Sequence, residues 1–173
     1  MEKAFARILT LVSTLVFVLT PAFAQHHIPW RFWTAADGLR ESYSRSLSLG
    51  AGGRVWVRHG AAFGVSVLDG YSVTQVPEPS AATVDIDWSR FAGIHEDRAG
   101  IAWTVENRAL MRYDGVRWSS EAAEARGERM IEAVPSPSGG VLVIYTDRLA
   151  LYNPALKKWS VVRTAGECGL GLF

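Results

Sequence analysis

The chain has 173 residues, 18 of them basic and 17 acidic for a net charge of +1, with 11% aromatic residues and one cysteine. A near-neutral balance argues against a nucleic-acid partner, which needs a basic face to neutralise phosphates, and no basic cluster marks an anionic lipid surface. The single Cys168 excludes an intrachain disulfide and a cysteine-rich zinc site, so packing and strand pairing must hold the fold together.

The chain opens with an export pattern. Glu2, Lys3 and Arg7 form a charged start, Ile8 to Thr20 is an uncharged apolar run, and Ala22 and Ala24 supply small residues before Gln25. The run is short for a membrane span, which needs about 20 apolar residues. Residues 1–24 therefore read as a signal peptide, and the protein as exported. Removing them takes away Glu2, Lys3 and Arg7 and leaves a near-neutral remainder long enough for one domain with a real core.

From Gln25 the chain is rich in aromatic and β-branched residues broken by Gly, Asp, Pro and Ser. No amphipathic helical pattern of two or more turns appears in the first ninety residues of this region. Trp30–Trp33 reads as a short strand and Thr34–Tyr43, with Asp37-Gly38-Leu39, as a loop. Arg45–Leu49, Val55–Val57, Val65–Leu68 and Tyr71–Val76 read as four strands, with a glycine turn at 50–53 and a hairpin signal at Asp69-Gly70. Ser80–Asp87 is a connector. Strands follow at Phe91–His95, Ile101–Val105, Ala109–Tyr113 and Val116–Trp118, with turns at Glu96–Gly100, Glu106-Asn107 and Asp114-Gly115. Ser119–Arg129 is polar and reads as a loop or one helical turn. A last set spans Met130–Val134, Val141–Tyr145, Arg148–Leu151 and Lys158–Val162. Val141–Tyr145 is apolar throughout, as a strand buried on both faces would be.

These segments repeat. Trp56, Trp103 and Val143 take equivalent places, spaced 47 and 40 residues, and Asp69, Asp114 and Asn153 are spaced 45 and 39. Thr34–Leu39 returns imperfectly as Thr164–Leu170, about 44 residues per repeat over three repeats. Four short strands per unit at this period predict β-propeller blades in an all-β fold, each made of four antiparallel strands. Blades are expected at roughly residues 30–79, 88–118 and 130–163, with the start of a fourth at 164–173. A propeller closes with 4 to 8 blades, so about three blades make an incomplete ring and the N-terminal part of a longer propeller protein.

The residues Asp37-Gly38-Leu39, Glu96-Asp97 with Gly100 and Trp103, and Tyr113-Asp114-Gly115 resemble the two-component regulator propeller repeat. The second copy matches closely. The first has glycines where the second has Glu-Asp, and the third has Pro-Ser, Asn-Pro and no tryptophan. The resemblance covers roughly residues 30–173. It implies an extracytoplasmic, periplasmic sensor region that binds a small-molecule or glycan ligand, or a protein partner. In that family a β-sandwich, a membrane span and an output such as a histidine kinase or diguanylate cyclase follow in the same chain, with attachment to the inner membrane. An exported propeller enzyme or carbohydrate-binding protein, and a plain interaction scaffold, are the alternatives.

The residues themselves offer no catalytic, cofactor-binding or metal-binding set, and no enzyme within this span. His95-Glu96 ends a strand before a turn, unlike a phosphoacceptor histidine in a long helix. Asp97 reads as a turn carboxylate that accepts nearby backbone N–H groups, since its spacing to Gly100 misses the D-x-G-x-x-W box of sialidase-like propellers by one residue. Asp85 and Asp87 lack the glycine and distal glutamate of a calcium loop, and His26-His27 follows the leader without a second ligand cluster. Trp56, Trp103, Trp118 and Trp159 recur at blade positions and are expected in the core. Trp88 and Tyr43 stand outside the repeat as candidate contacts for a ligand.

Overall fold

The computed structural model describes residues 31–60, 64–79, 92–106, 108–123, 129–164 and 166. The chain divides into two compact units, Met1–Phe32 and Trp33–Phe173. The leader, His26-His27, Asp85, Asp87 and Trp88 lie outside the described residues. So does Trp30, and residues 31–33 take no regular structure, so the strand expected at Trp30–Trp33 is not formed there.

Within the second unit, twelve strands make three sheets. The first contains β1 (Ser44–Leu49), β2 (Val55–His59), β3 (Val65–Asp69) and β4 (Ser72–Val76). The second contains β5 (His95–Glu96), β6 (Ala102–Glu106), β7 (Ala109–Tyr113) and β8 (Trp118–Ala123). The third contains β9 (Met130–Pro135), β10 (Val141–Tyr145), β11 (Arg148–Asn153) and β12 (Lys158–Thr164). Each sheet is antiparallel with its strands in sequence order. The first strands of the three sheets are neighbours, β1 against β5 and β5 against β9. This is the geometry of three consecutive β-propeller blades, as the repeat predicts.

Apolar seams between blades hold the arc together. Trp56, Val65, Val67 and Val76 of the first blade meet Ile94 and Ala102 of the second, with Tyr113 and Trp118 alongside. Trp103, Val105 and Leu110 of the second meet Met130, Ala133, Val141, Val143 and Tyr145 of the third. One buried indole removes roughly 150–250 Å² from water, on the order of 4–6 kcal/mol before entropic costs. Trp56 and Trp103 therefore dominate their seams.

Several expectations change in detail. The ladder of the second blade begins only at His95, because Ala92–Ile94 run beside β6 without forming a strand. Val116 and Arg117 lie in a four-residue turn rather than a strand, and β8 continues through Ser119–Ala123, where a loop or helical turn is predicted. Polar residues suffice there because β8 is the outer strand, with one edge toward water. Thr164, expected to open a fourth blade, is the last residue of β12; residues 165 and 167–173 lie outside the described residues.

The hairpin at Asp69-Gly70 also differs. Asp69 pairs with Ser72, so Gly70 and Tyr71 are the central residues, and only Gly70 has positive φ (59°). That is the requirement of a type II′ turn rather than type I′.

The largest correction concerns register. Three turns share one geometry. Gly50, Asp97 and Ser136 each donate N–H to the carbonyl four residues on, and Gly53, Gly100 and Gly139 each donate back to those residues. These glycines have φ of 80°, 81° and 95°. Counting three residues beyond each gives Trp56, Trp103 and Leu142, not Val143. Side chains alternate across a strand, so this one-residue difference changes the face. Trp56 and Trp103 look toward the following blade, whereas Val143 looks back at the second. Leu142 and Ile144 occupy the other face, where Ile144 is 41% exposed. The strand β10 is therefore buried on one face only, because no described sheet packs beyond it.

Candidate functional site

The best-ordered chemistry surrounds the turn between β5 and β6. Asp97 Oδ1 accepts the backbone N–H groups of Ala99 (2.9 Å) and Ile101 (3.0 Å), and its Oδ2 accepts Trp103 Nε1 (3.0 Å). The carboxylate thereby closes the turn and orients the indole. Glu96 points the other way. Its Oε2 accepts Trp56 Nε1 at 2.9 Å, and its Oε1 pairs with Arg54 of the first blade. The Glu-Asp pair is thus a double indole latch, one carboxylate within its blade and one across the seam. A carboxylate on an indole N–H satisfies a donor that burial would otherwise leave costly.

Between this turn and that of the third blade lies a groove of about 360 Å³, walled by Ala51, Arg98, Ala99, Pro135, Ser136 and Pro137. It opens where the turns after the innermost strands converge, near the propeller axis. Its base is formed by Glu96 and Asp97, both engaged as described. The guanidinium of Arg98 is exposed at the wall, and Ser136 and Ser138 share a hydroxyl hydrogen bond of 2.8 Å. This arrangement can bind a ligand but lacks a base poised on a nucleophile.

The opposite end of the seam is polar and buried. Arg58 pairs with Glu106 across the two blades, donates to Ala92 O (2.9 Å) and lies 3.5 Å from Glu78. His59 Nε2 sits 2.7 Å from Ser66 Oγ. Burial pushes the His59 imidazole below its ordinary 6.5; Arg40 adds to this, while Glu41, the Tyr43 carbonyl and Glu78 oppose it. The pair resembles a nucleophile and base, but Ser66 has no exposed surface. Its hydroxyl instead accepts the Arg40 N–H (3.4 Å), and Gln75 donates to Gly38 O (2.6 Å), so the network ties the loop before β1 to the first blade. Sequence reasoning missed Arg58, Glu106, His59 and Ser66. Their signal is faint: polar side chains inside otherwise apolar strands.

The residues singled out earlier fall as follows. His95 faces Glu132 of β9, with Nε2 to Oε1 at 3.3 Å, and Glu132 also accepts the Gly93 N–H at 3.0 Å. It belongs to a contact between inner strands. Trp118 is half-buried, stacked on Tyr113 at 5.1 Å, and donates to Pro77 O at 2.8 Å. Trp159 packs on Tyr152 at 4.8 Å but remains partly exposed, because β12 is an outer strand, so it covers an edge rather than filling the core. Tyr43 is exposed and its carbonyl accepts the Gly60 N–H at 3.2 Å; no described residue joins it to the groove. Among the described residues, no three His, Cys, Asp or Glu side chains gather as metal ligands. No described helix is long and apolar enough to cross a membrane.

These features define a β-propeller module. No family model matches the chain, and no curated protein matches it. Solved structures do share the fold. A catalytically inactive virginiamycin B lyase from Staphylococcus aureus, crystallised with quinupristin, aligns with a TM-score of 0.50 at 14% identity over 66% of this chain and 39% of that one. A streptogramin B lyase structure aligns at 0.51 and 10% identity over 71% of this chain and 40% of that one. The chain thus spans about two fifths of these propellers, and the likeness concerns fold alone.

Proposed function

We propose that this chain is the sensing propeller of an exported signalling receptor, with the groove beside Arg98 and Ser136 as the place where ligand meets blade. One observation carries the reading. Every residue of the family-like motif has a structural task in the second blade: Glu96 and Asp97 on the two indoles, Gly100 at positive φ, and Asp114 closing the next turn. The leader-like residues 1–24 support export. A ligand in the groove would bear on three blades at once, through Ala51, Ala99 and Pro135, and shift the seams that a following domain could read.

Two measurements test this. Fusing residues 1–40 to alkaline phosphatase should give periplasmic activity and a mature product beginning at Gln25; cytoplasmic retention defeats the export reading. The reading frame beyond Phe173 should encode further blades, a membrane span and an output domain, and a frame lacking them defeats the receptor reading. The lyase structures bring a second reading through the fold alone. It predicts that virginiamycin B disappears on incubation with the protein, and an unchanged antibiotic removes it.

A further inference from the structure

Each blade carries one large apolar side chain at the tip of its last hairpin, between third and fourth strands. They are Tyr71, Val116 and Leu156, and they are 85%, 77% and 66% exposed. Because the three sheets repeat one strand order, these tips fall on the same end of the arc, along its outer rim. The turns beneath them are ordered. Tyr71 follows Gly70 in a two-residue turn, Val116 donates its N–H to Asp114 Oδ1 (2.9 Å), and Leu156 donates its N–H to Asn153 Oδ1 (3.0 Å). Two tips are followed directly by cations, Arg117 after Val116 and Lys157-Lys158 after Leu156, all exposed. Along the sequence these charges are scattered; the repeat gathers them on one rim.

From this juxtaposition we propose that the outer rim formed by the last hairpins docks on an anionic lipid surface. Apolar tips enter the interface, and the adjoining cations meet headgroup phosphates. The partner is a bilayer rather than a protein because the tips stand apart, one per blade, instead of forming a continuous patch for a complementary surface. The rim also carries two carboxylates. Asp114 is turned onto the N–H groups of Val116 and Arg117 but is itself exposed and attracts the Arg117 side chain, and Asp69 is exposed beside Tyr71, so each weakens its tip. Contact should therefore be strongest at the third blade, whose turn holds Lys157 and Lys158 and no carboxylate.

The full chain, with Cys168→Ser, is labelled with an environment-sensitive fluorophore at Val116→Cys, at Leu156→Cys or, on the opposite end, at Asp147→Cys. Vesicles of phosphatidylglycerol and phosphatidylcholine should blue-shift the first two labels and leave the third unchanged. This local readout is independent of any binding by residues 1–24. Replacing Arg117, Lys157 and Lys158 by glutamine should lower vesicle partition about tenfold or more, as should high salt. The combined change Val116→Ser and Leu156→Ser should abolish it without altering the unfolding midpoint. Absence of the blue shift at both tips overturns the proposal, as does an equal shift at position 147. Sedimentation that shows these tips joining two copies of the chain, with no response to vesicles, also overturns it and makes the rim a self-association surface.

Discussion

Asp97 performs three bonds with two oxygens, and that economy predicts how the second blade fails. Asp97→Ala strands two backbone N–H groups and the indole N–H of Trp103. The expected loss is about 2–3 kcal/mol in urea unfolding followed by tryptophan fluorescence, and an undiminished midpoint would mean water replaces the carboxylate. Asp97→Asn keeps one acceptor and should cost less. His59 sets a pH limb. Its folded value lies below the ordinary 6.5, so the fold resists the proton that the unfolded chain accepts. Stability should be full above about pH 7 and fall as the pH drops below the unfolded value. In His59→Gln that part of the acid limb should vanish, measured as the difference in unfolding midpoint between variant and parent at each pH.

At the scale of elements, the repeated turn makes a comparative test. Gly53 and Gly139 both have positive φ, and an added Cβ would meet no atom within 4 Å at either place. Gly53→Ala and Gly139→Ala should thus cost only the backbone penalty, about 1–2 kcal/mol each and alike in both blades. A large difference between them would break the structural equivalence of the turns. The register of β10 can be tested in the same way. Val143 is buried against the second blade and Leu142 is on the open face. Val143→Asp should unfold the third blade, with a loss of several kcal/mol, while Leu142→Asp should cost under about 1 kcal/mol. Had Val143 been the true equivalent of Trp103, the costs would be reversed. Hydropathy could not decide this, because an unbroken apolar strand has the same pattern in either register.

At the scale of the whole molecule, the arc presents apolar side chains at both ends. Leu47 and Leu49 are exposed on the first blade, and Ile131, Val134 and Ile144 on the third. Seams inside the arc show how such faces are covered: an aromatic or branched residue of one blade meets small and branched residues of the next. Ile144→Thr should therefore reduce binding of a hydrophobic dye with little change in unfolding midpoint, whereas an unaltered dye signal would place the accessible apolar surface elsewhere.

The three sets of four strands, the turn glycines and the blade period were legible in the sequence because they are local: alternation, positive φ and Asp-Gly or Asn-Pro turns act within a few residues. The task of Asp97 on its backbone neighbours was legible for the same reason. The reach of Glu96 to Trp56 and Arg54, the buried Arg58–Glu106 pair and the groove beside Arg98 were not, since each joins residues some forty positions apart that meet only when blades stack. Periodicity determined the kind of sheet this chain forms. Tertiary packing alone decided which face of each strand is core, because an apolar face is buried only if another blade lies against it.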